Sequence, residues 1–167
     1  MKTLDEQMAA YAAYHRNAWN RLTHFVGVPL ITFAILIPMA WLRLPIGGFE
    51  LTGALVFVVA VLAWYFALDA VLATAMIFLI VPLLYIADKV AQLPGATGWW
   101  VFGATFVIGW IFQLVGHAIE GRRPALADNF LQIFVAPIFL LAEAFFALGL
   151  KRDVHEKIEE RLKAAHH

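Results

Sequence analysis

The stretch HRNAWNRLTH, residues 15–24, sets two histidines, two asparagines and two arginines directly before a long apolar run. His15 and His24 are nine residues apart, which in one straight helix puts them on opposite sides. They can share an ion only if the helix breaks between them. A second polar cluster, GHAIEGRRPALADN at 116–129, follows another apolar run. His117 and Glu120 are three apart and project from one helix face. A His-x-x-Glu pair is also how helical bundles offer imidazole and carboxylate to iron or manganese. Glu143 stands inside FLLAEAFFALG, where a carboxylate must face protein, a cavity or a cation, because exposure to hydrocarbon is costly. Cysteine is absent, which excludes disulfides, thiolate catalysis and Cys-ligated metal. Three imidazoles and a carboxylate without thiolates suit iron or another imidazole-binding metal.

A plainer reading stands beside each of these. The histidines can be hydrogen-bonded residues at a membrane interface. Glu143 can be a structural carboxylate paired with Arg122 or Arg123, and those arginines can sit at lipid head groups. Asp128 precedes an apolar run and can simply cap a helix. His155, His166 and His167 lie in a charged tail and carry no chemistry.

The elements that must position these residues follow from composition. The chain has 167 residues, 63% hydrophobic and 14% charged, with mean hydropathy +0.79. Soluble domains show roughly 45–50% apolar and about 25% charged residues, so the class is an integral membrane protein. The length allows one bundle and no second domain. Zero net charge gives no footprint for nucleic acid. The start, with Asp5 and Glu6, lacks the basic n-region and early apolar core of a cleaved signal peptide.

Five apolar segments, about Leu22–Leu42, Leu51–Leu68, Ala70–Ala87, Trp99–Ile119 and Phe130–Leu150, each approach the length of a spanning helix. Lipid cannot satisfy free backbone groups and no barrel alternation appears, so the segments are helical. The expected fold is all-α, a membrane bundle of four to five spans forming a single domain over 1–167. Residues 1–21 form an amphipathic helix, 22–150 the bundle and 151–167 a charged cytoplasmic tail. The amphipathic stripe runs Leu4, Met8, Tyr11, His15, Trp19, Leu22. Only Asp69 separates the second and third segments, which predicts a very tight turn. Gly103 and Gly109 allow close helix approach.

If all five segments cross, Lys and Arg divide five against seven between the two sides; if the last does not, ten against two. The positive-inside rule selects the second arrangement. It predicts four crossings, both termini cytoplasmic, and residues 130–150 as a re-entrant or broken pair of half-helices around Pro137. The two polar clusters then meet at one membrane level.

YHRNAWNRLTHFVGVP (14–29), IGWIFQLVGHAIEGRRPALADN (108–129) and APIFLLAEAFFALG (136–149) resemble the membrane-bound, iron-dependent 2-hydroxy fatty acid dioxygenases, a family with many bacterial relatives. The resemblance covers nearly the whole chain. It implies α-oxidation: a long-chain 2-hydroxy fatty acid reacts with O2 at Fe(II), losing its carboxyl carbon as CO2. It implies iron ligation by His15, His24 and His117, with Glu120 and Glu143 as further metal-ligand candidates, and places Asn20, Arg122, Arg123 and Asp128 in catalytic positions. Arg122 or Arg123 would fork onto the substrate carboxylate. It also implies a bacterial inner-membrane location, with membrane lipid around the acyl tail. Two positions depart from the family pattern. Arg16 stands where a second histidine often follows the first, and HAIEGRRP is one residue shorter than H-x-x-x-E-x-R-R-P.

Two other functions fit the same residues. A small transporter or lipid-binding protein would use Glu143 and the histidines as a proton relay. A metal-dependent lipid hydroxylase or desaturase would need more histidines than the three well-placed ones.

Overall fold

The structure, a computed structural model of the chain, describes residues 3–123 and 132–164. These residues form α1 (Leu4–Ala12), α2 (Ala18–Ala40), β1 (Arg43–Ile46), β2 (Phe49–Thr52), α3 (Gly53–Leu68), α4 (Ala70–Ala91), α5 (Thr97–Glu120), α6 (Gln132–Ala147) and α7 (Arg152–Ala164). The expected all-α membrane bundle is the architecture found. Helices α2, α4 and α5 are each long and apolar enough to cross a membrane, and α6 with α7 passes the same test as one bent pair. Helix α3, at 16 residues, is shorter. Contacts group the chain into two compact units, Met1–Phe25 with Gln113–His167, and Val26–Phe112; α2 and α5 contribute residues to both.

In the unit Val26–Phe112, Leu36, Ile37, Ala40, Ala54, Val58 and Ala87 form the buried core. Asp69 alone connects α3 to α4, as its spacing predicts. Its Oδ1 accepts from the backbone N–H groups of Val71 and Leu72, both at 2.9 Å, and so starts α4 in the residue that ends α3. Such a cap stabilises a helix by about 1 kcal/mol. The break at RLPIGGFE is a two-residue β-hairpin pairing Ile46 with Phe49. Gly47 and Gly48 supply its two positive φ angles, 56° and 86°, the requirement of a type I′ turn. Gly109 does permit close approach, since a Cβ there would lie 2.7 Å from Ile31 Cγ1. Gly103 does not, because a Cβ there meets nothing within 4 Å.

In the other unit, Thr3 and Glu6 form a reciprocal capping box that starts α1. Helix α1 buries Leu4, Met8 and Tyr11 and packs on α6 and α7. It stops at Ala12. Asn17 Oδ1 then accepts from the N–H of Trp19 at 2.9 Å, which opens α2. The apolar stripe therefore continues only to His15; beyond the break Trp19 and Leu22 are exposed, because the chain has changed direction. Pro137 lies inside α6 rather than at a break. The bend comes after Ala147, where α6 and α7 meet at 112°. Gly149, at φ 73°, ends α6 there, with the N–H of Leu150 reaching Phe145 O and that of Gly149 reaching Phe146 O. Arg161 Nε meets Asp5 Oδ2 at 2.5 Å, so the last helix is held on the first. Desolvation works against ionisation of Asp5, but its bonds to Thr3 and Arg161 prevail and hold the carboxyl below its ordinary value.

Candidate metal centre

The break between α1 and α2 meets the condition that the sequence spacing sets. His15 lies in that break, buried, with its ring stacked on Tyr11 at 4.0 Å between centroids. Its Nδ1 is 2.8 Å from Tyr11 O. A carbonyl oxygen can only accept, so Nδ1 carries the proton and Nε2 the lone pair. His24, on the second turn of α2, repeats the arrangement, with Nδ1 2.8 Å from Asn20 O. The two Nε2 atoms face each other at 3.1 Å. Neutral imidazoles in these tautomers present two lone pairs to one another, an unfavourable contact that a cation between them makes favourable. Two nitrogens bound to one ion at about 2.0–2.1 Å would be separated by this distance when they subtend roughly a right angle. The donor set fits a metal.

His117 completes the group. Its ring centroid lies 5.0 Å from that of His15 and 4.9 Å from that of His24. One ring nitrogen from each of the three histidines falls within 4.8 Å of the others. His117 Nδ1 is buried with no hydrogen-bond partner among the described residues. Burial, reinforced by the neighbouring imidazoles and opposed by Tyr11 O and Glu120, pushes the pKa of His15 down to about 3. Its ring is therefore neutral and available for ligation near pH 7.

Helix α5 reaches this centre with a single face. Gln113, Gly116 and His117 are buried and Glu120 is half-buried, at positions i, i+3, i+4 and i+7, while Leu114, Val115, Ala118 and Ile119 are exposed. Gly116 lets α5 approach α2: a Cβ there would strike Thr23 and stand 2.5 Å from Asn20 Oδ1 and 3.2 Å from His24 Nδ1. Gly121, at φ 71°, ends α5 immediately after Glu120.

The other site candidates surround the histidines. The Glu120 carboxylate accepts from the backbone N–H groups of Arg16 (3.1 Å) and Asn17 (2.8 Å) and from Asn20 Nδ2 (3.0 Å). It thereby straps the loop carrying His15 to the helix carrying His117. Asn20, fully buried, also donates to Tyr14 O at 3.3 Å. Glu143 pairs with Arg21, whose Nε is 3.4 Å from Oε2, and not with Arg122 or Arg123. Arg21 Nη1 also donates to the carbonyls of His15 (3.3 Å) and Arg16 (3.2 Å). Arg122 is exposed and donates to Ala13 O at 3.0 Å; Arg123 is exposed. Asp128 lies outside the described residues.

The sequence reading did not single out Tyr11, Gly116, Gln113 or Phe139 as site residues. Phe139 stands 4.6 Å from Tyr11 and 6.1 Å from His15, walling the centre from α6. The i, i+3, i+4, i+7 pattern of Gln113, Gly116, His117 and Glu120 is the signal from which Gly116 and Gln113 were recoverable.

A buried cluster of three imidazoles, without thiolates and set at the ends of membrane helices, defines a helical membrane protein with a candidate histidine metal site. The family model described as Mpo1-like, 2-hydroxy-palmitic acid dioxygenase Mpo1-like, matches residues 1–148. The 2-hydroxy-palmitic acid dioxygenase MPO1 of Saccharomyces cerevisiae is 33% identical over 163 residues, covering 96% of this chain and 90% of the yeast protein. The chain belongs to the Mpo1-like family. No solved structure matches it.

Proposed function

We propose that the chain is an Fe(II)-dependent dioxygenase that converts a long-chain 2-hydroxy fatty acid and O2 to the acid one carbon shorter, CO2 and water. The reaction balances without an external reductant, since the substrate carbon supplies all the electrons that O2 accepts. The observation that carries the reading is the approach of His15 Nε2 and His24 Nε2 to 3.1 Å, with both Nδ1 protons committed to carbonyls, in a chain of this family.

His15, His24 and His117 would hold the iron, which when bound supplies the redox centre that activates O2. Three nitrogen ligands leave room for a bidentate hydroxy-carboxylate, whose chelation would be mainly a positioning effect. The chain's own residues set up this geometry. Tyr11 O and Asn20 O fix the tautomers of two ligands. Glu120 straps the His15 loop, and Arg21 orders the same loop through two carbonyls. Arg122 or Arg123, both exposed beside this end of α5, would meet the substrate carboxylate. The acyl tail would stay in hydrocarbon. The proton-relay alternative gains no support from Glu143, which is paired with Arg21 rather than with a histidine.

The location we infer is a bacterial inner membrane with both termini cytoplasmic. The Asp5–Arg161 ion pair, which keeps the two ends of the chain together, supports a common side. The ten-to-two charge division supports the cytoplasmic one.

The test is O2 uptake by the detergent-purified, iron-supplied protein. With 2-hydroxypalmitate, O2 consumption should match the formation of CO2 and the fifteen-carbon acid, and palmitate should give none. Full iron occupancy without turnover of any 2-hydroxy fatty acid contradicts the proposal. Transport driven by a pH gradient and indifferent to chelators would support the relay instead.

A further inference from the structure

On the inward face of α5, three of the four residues have their function in view. Gly116 admits α2, His117 joins the histidine cluster and Glu120 holds the His15 loop. The fourth, Gln113, is 8% exposed, and its Nε2 has no hydrogen-bond partner among the described residues. Burying an amide donor without an acceptor is unfavourable, and a native chain tolerates it where a ligand supplies the acceptor. Gln113 sits four residues before His117, about 6 Å along the helix axis, on the side away from the polar end at Gly121. That is the direction of the bilayer interior, and hence of an acyl tail whose head group reaches the histidines.

We infer that Gln113 is a substrate-binding residue that donates a hydrogen bond from Nε2 to the 2-hydroxyl oxygen of the fatty acid, so that the site reads the hydroxyl as well as the carboxylate. The inference rests on the reading of the substrate as a 2-hydroxy fatty acid. A neutral amide suits the task. A basic residue at this depth would compete for the carboxylate, and an acidic one would repel it. The second carbon is the first one on the tail side of the carboxylate, which is where a donor displaced toward the lipid must act. A site that buries a donor for a substrate hydroxyl rejects the analogue lacking it, because the donor is then left unpaired.

The experiment measures equilibrium binding of 2-hydroxypalmitate and of palmitate to the detergent-solubilised chain after metal removal by chelation. Metal coordination then contributes nothing to the preference. The wild type is expected to favour 2-hydroxypalmitate by roughly fivefold or more, the worth of one hydrogen bond. Gln113→Leu, which keeps the volume, is expected to bring the two ligands to parity while palmitate affinity stays as it was. Gln113→Met provides a second side chain for the same comparison. Because no hydrogen bond to the described residues is lost from Nε2, the ligand-free variants should melt no lower than the wild type.

A preference that survives in both variants overturns the inference. So does an equal loss of affinity for both ligands, or a lowered Tm in both variants, since each assigns Gln113 a purely structural part. The two readings fail separately. Hydroxyl preference lost on substitution, with no turnover by iron-loaded wild type, leaves Gln113 as a hydroxyl reader and removes the reaction. Turnover with a preference indifferent to Gln113 does the opposite.

Discussion

His15 and His24 approach through their Nε2 atoms at 3.1 Å while their Nδ1 atoms each lie 2.8 Å from the carbonyl four residues earlier. The same local device, an imidazole turned back on the residue four before it, is used once within a helix break and once just after it. It points two lone pairs at one place. The break converts a nine-residue separation, which a continuous helix would spread across two faces, into a shared site.

Removing the strap should loosen this arrangement without touching a histidine. Glu120→Ala leaves the N–H groups of Arg16 and Asn17 without their acceptor and the amide of Asn20 with Tyr14 O alone. A loss of about 1–3 kcal/mol in stability is expected, measured by denaturant or thermal unfolding in detergent. Metal affinity should fall tenfold or more, as for other groups that orient a ligand. Glu120→Gln, which keeps one acceptor oxygen, should recover part of both. Unchanged metal affinity in Glu120→Ala would remove Glu120 from the positioning role.

Gly116→Ala should damage the site by steric means alone. The new methyl would stand 2.5 Å from Asn20 Oδ1 and 3.2 Å from His24 Nδ1, and would strike Thr23. Forcing α5 away from α2 should cost about 1–3 kcal/mol. Bound metal should fall in parallel, read by elemental analysis of the folded fraction. Gly103→Ala, where a Cβ meets nothing within 4 Å, is the control and should be silent on both measures.

Acid should destabilise the metal-free protein through His15. Its pKa is about 3 in the fold and near 6.5 in an unfolded chain, so between these values the unfolded state binds the extra proton. Stability is therefore complete above pH 6.5 and falls as the pH drops toward 3. The slope of Tm against pH over that interval should be smaller in His15→Phe, which keeps an aromatic ring against Tyr11 and Phe139. An identical slope in the variant would mean that other groups carry the acid response.

Asp5 acts at lower pH. Its carboxyl is held below the ordinary value, so its contribution is present above about pH 4 and is lost as the pH falls through the depressed pKa. Helix α1 should exchange its amide hydrogens faster in that range as its clasp to Arg161 opens. Asp5→Asn should show fast exchange already at neutral pH; slow exchange there would mean that α1 is held by its buried Leu4, Met8 and Tyr11 alone.

What was legible in the sequence is what local chemistry dictates. Apolar runs of spanning length marked α2, α4 and α5, because lipid leaves helices as the available conformation. Asp69 announced its turn because a short acceptor side chain can end one helix and cap the next. His15, His24 and His117 stood out because imidazoles at the edge of apolar runs need a reason to be there. The unread parts depend on tertiary geometry. Whether Glu143 meets Arg21 or Arg122 is settled by helix rotation, which hydropathy does not encode. The bend after Ala147 rather than at Pro137 reflects how well a helix near or within a bilayer tolerates proline, while Gly149 adopts a positive φ that other residues resist. Gln113 carries no signal in the sequence, because one amide in an apolar helix gains meaning only once its donor lacks a partner among the described residues.

The most direct test is the iron content of folded protein purified without chelators, measured for the wild type and for His24→Ala and His117→Ala. Convergence of three imidazoles on one ion predicts stoichiometric iron in the wild type and its loss in both variants, with membrane insertion and helical content retained. Wild-type iron in either folded variant would contradict a shared three-histidine centre.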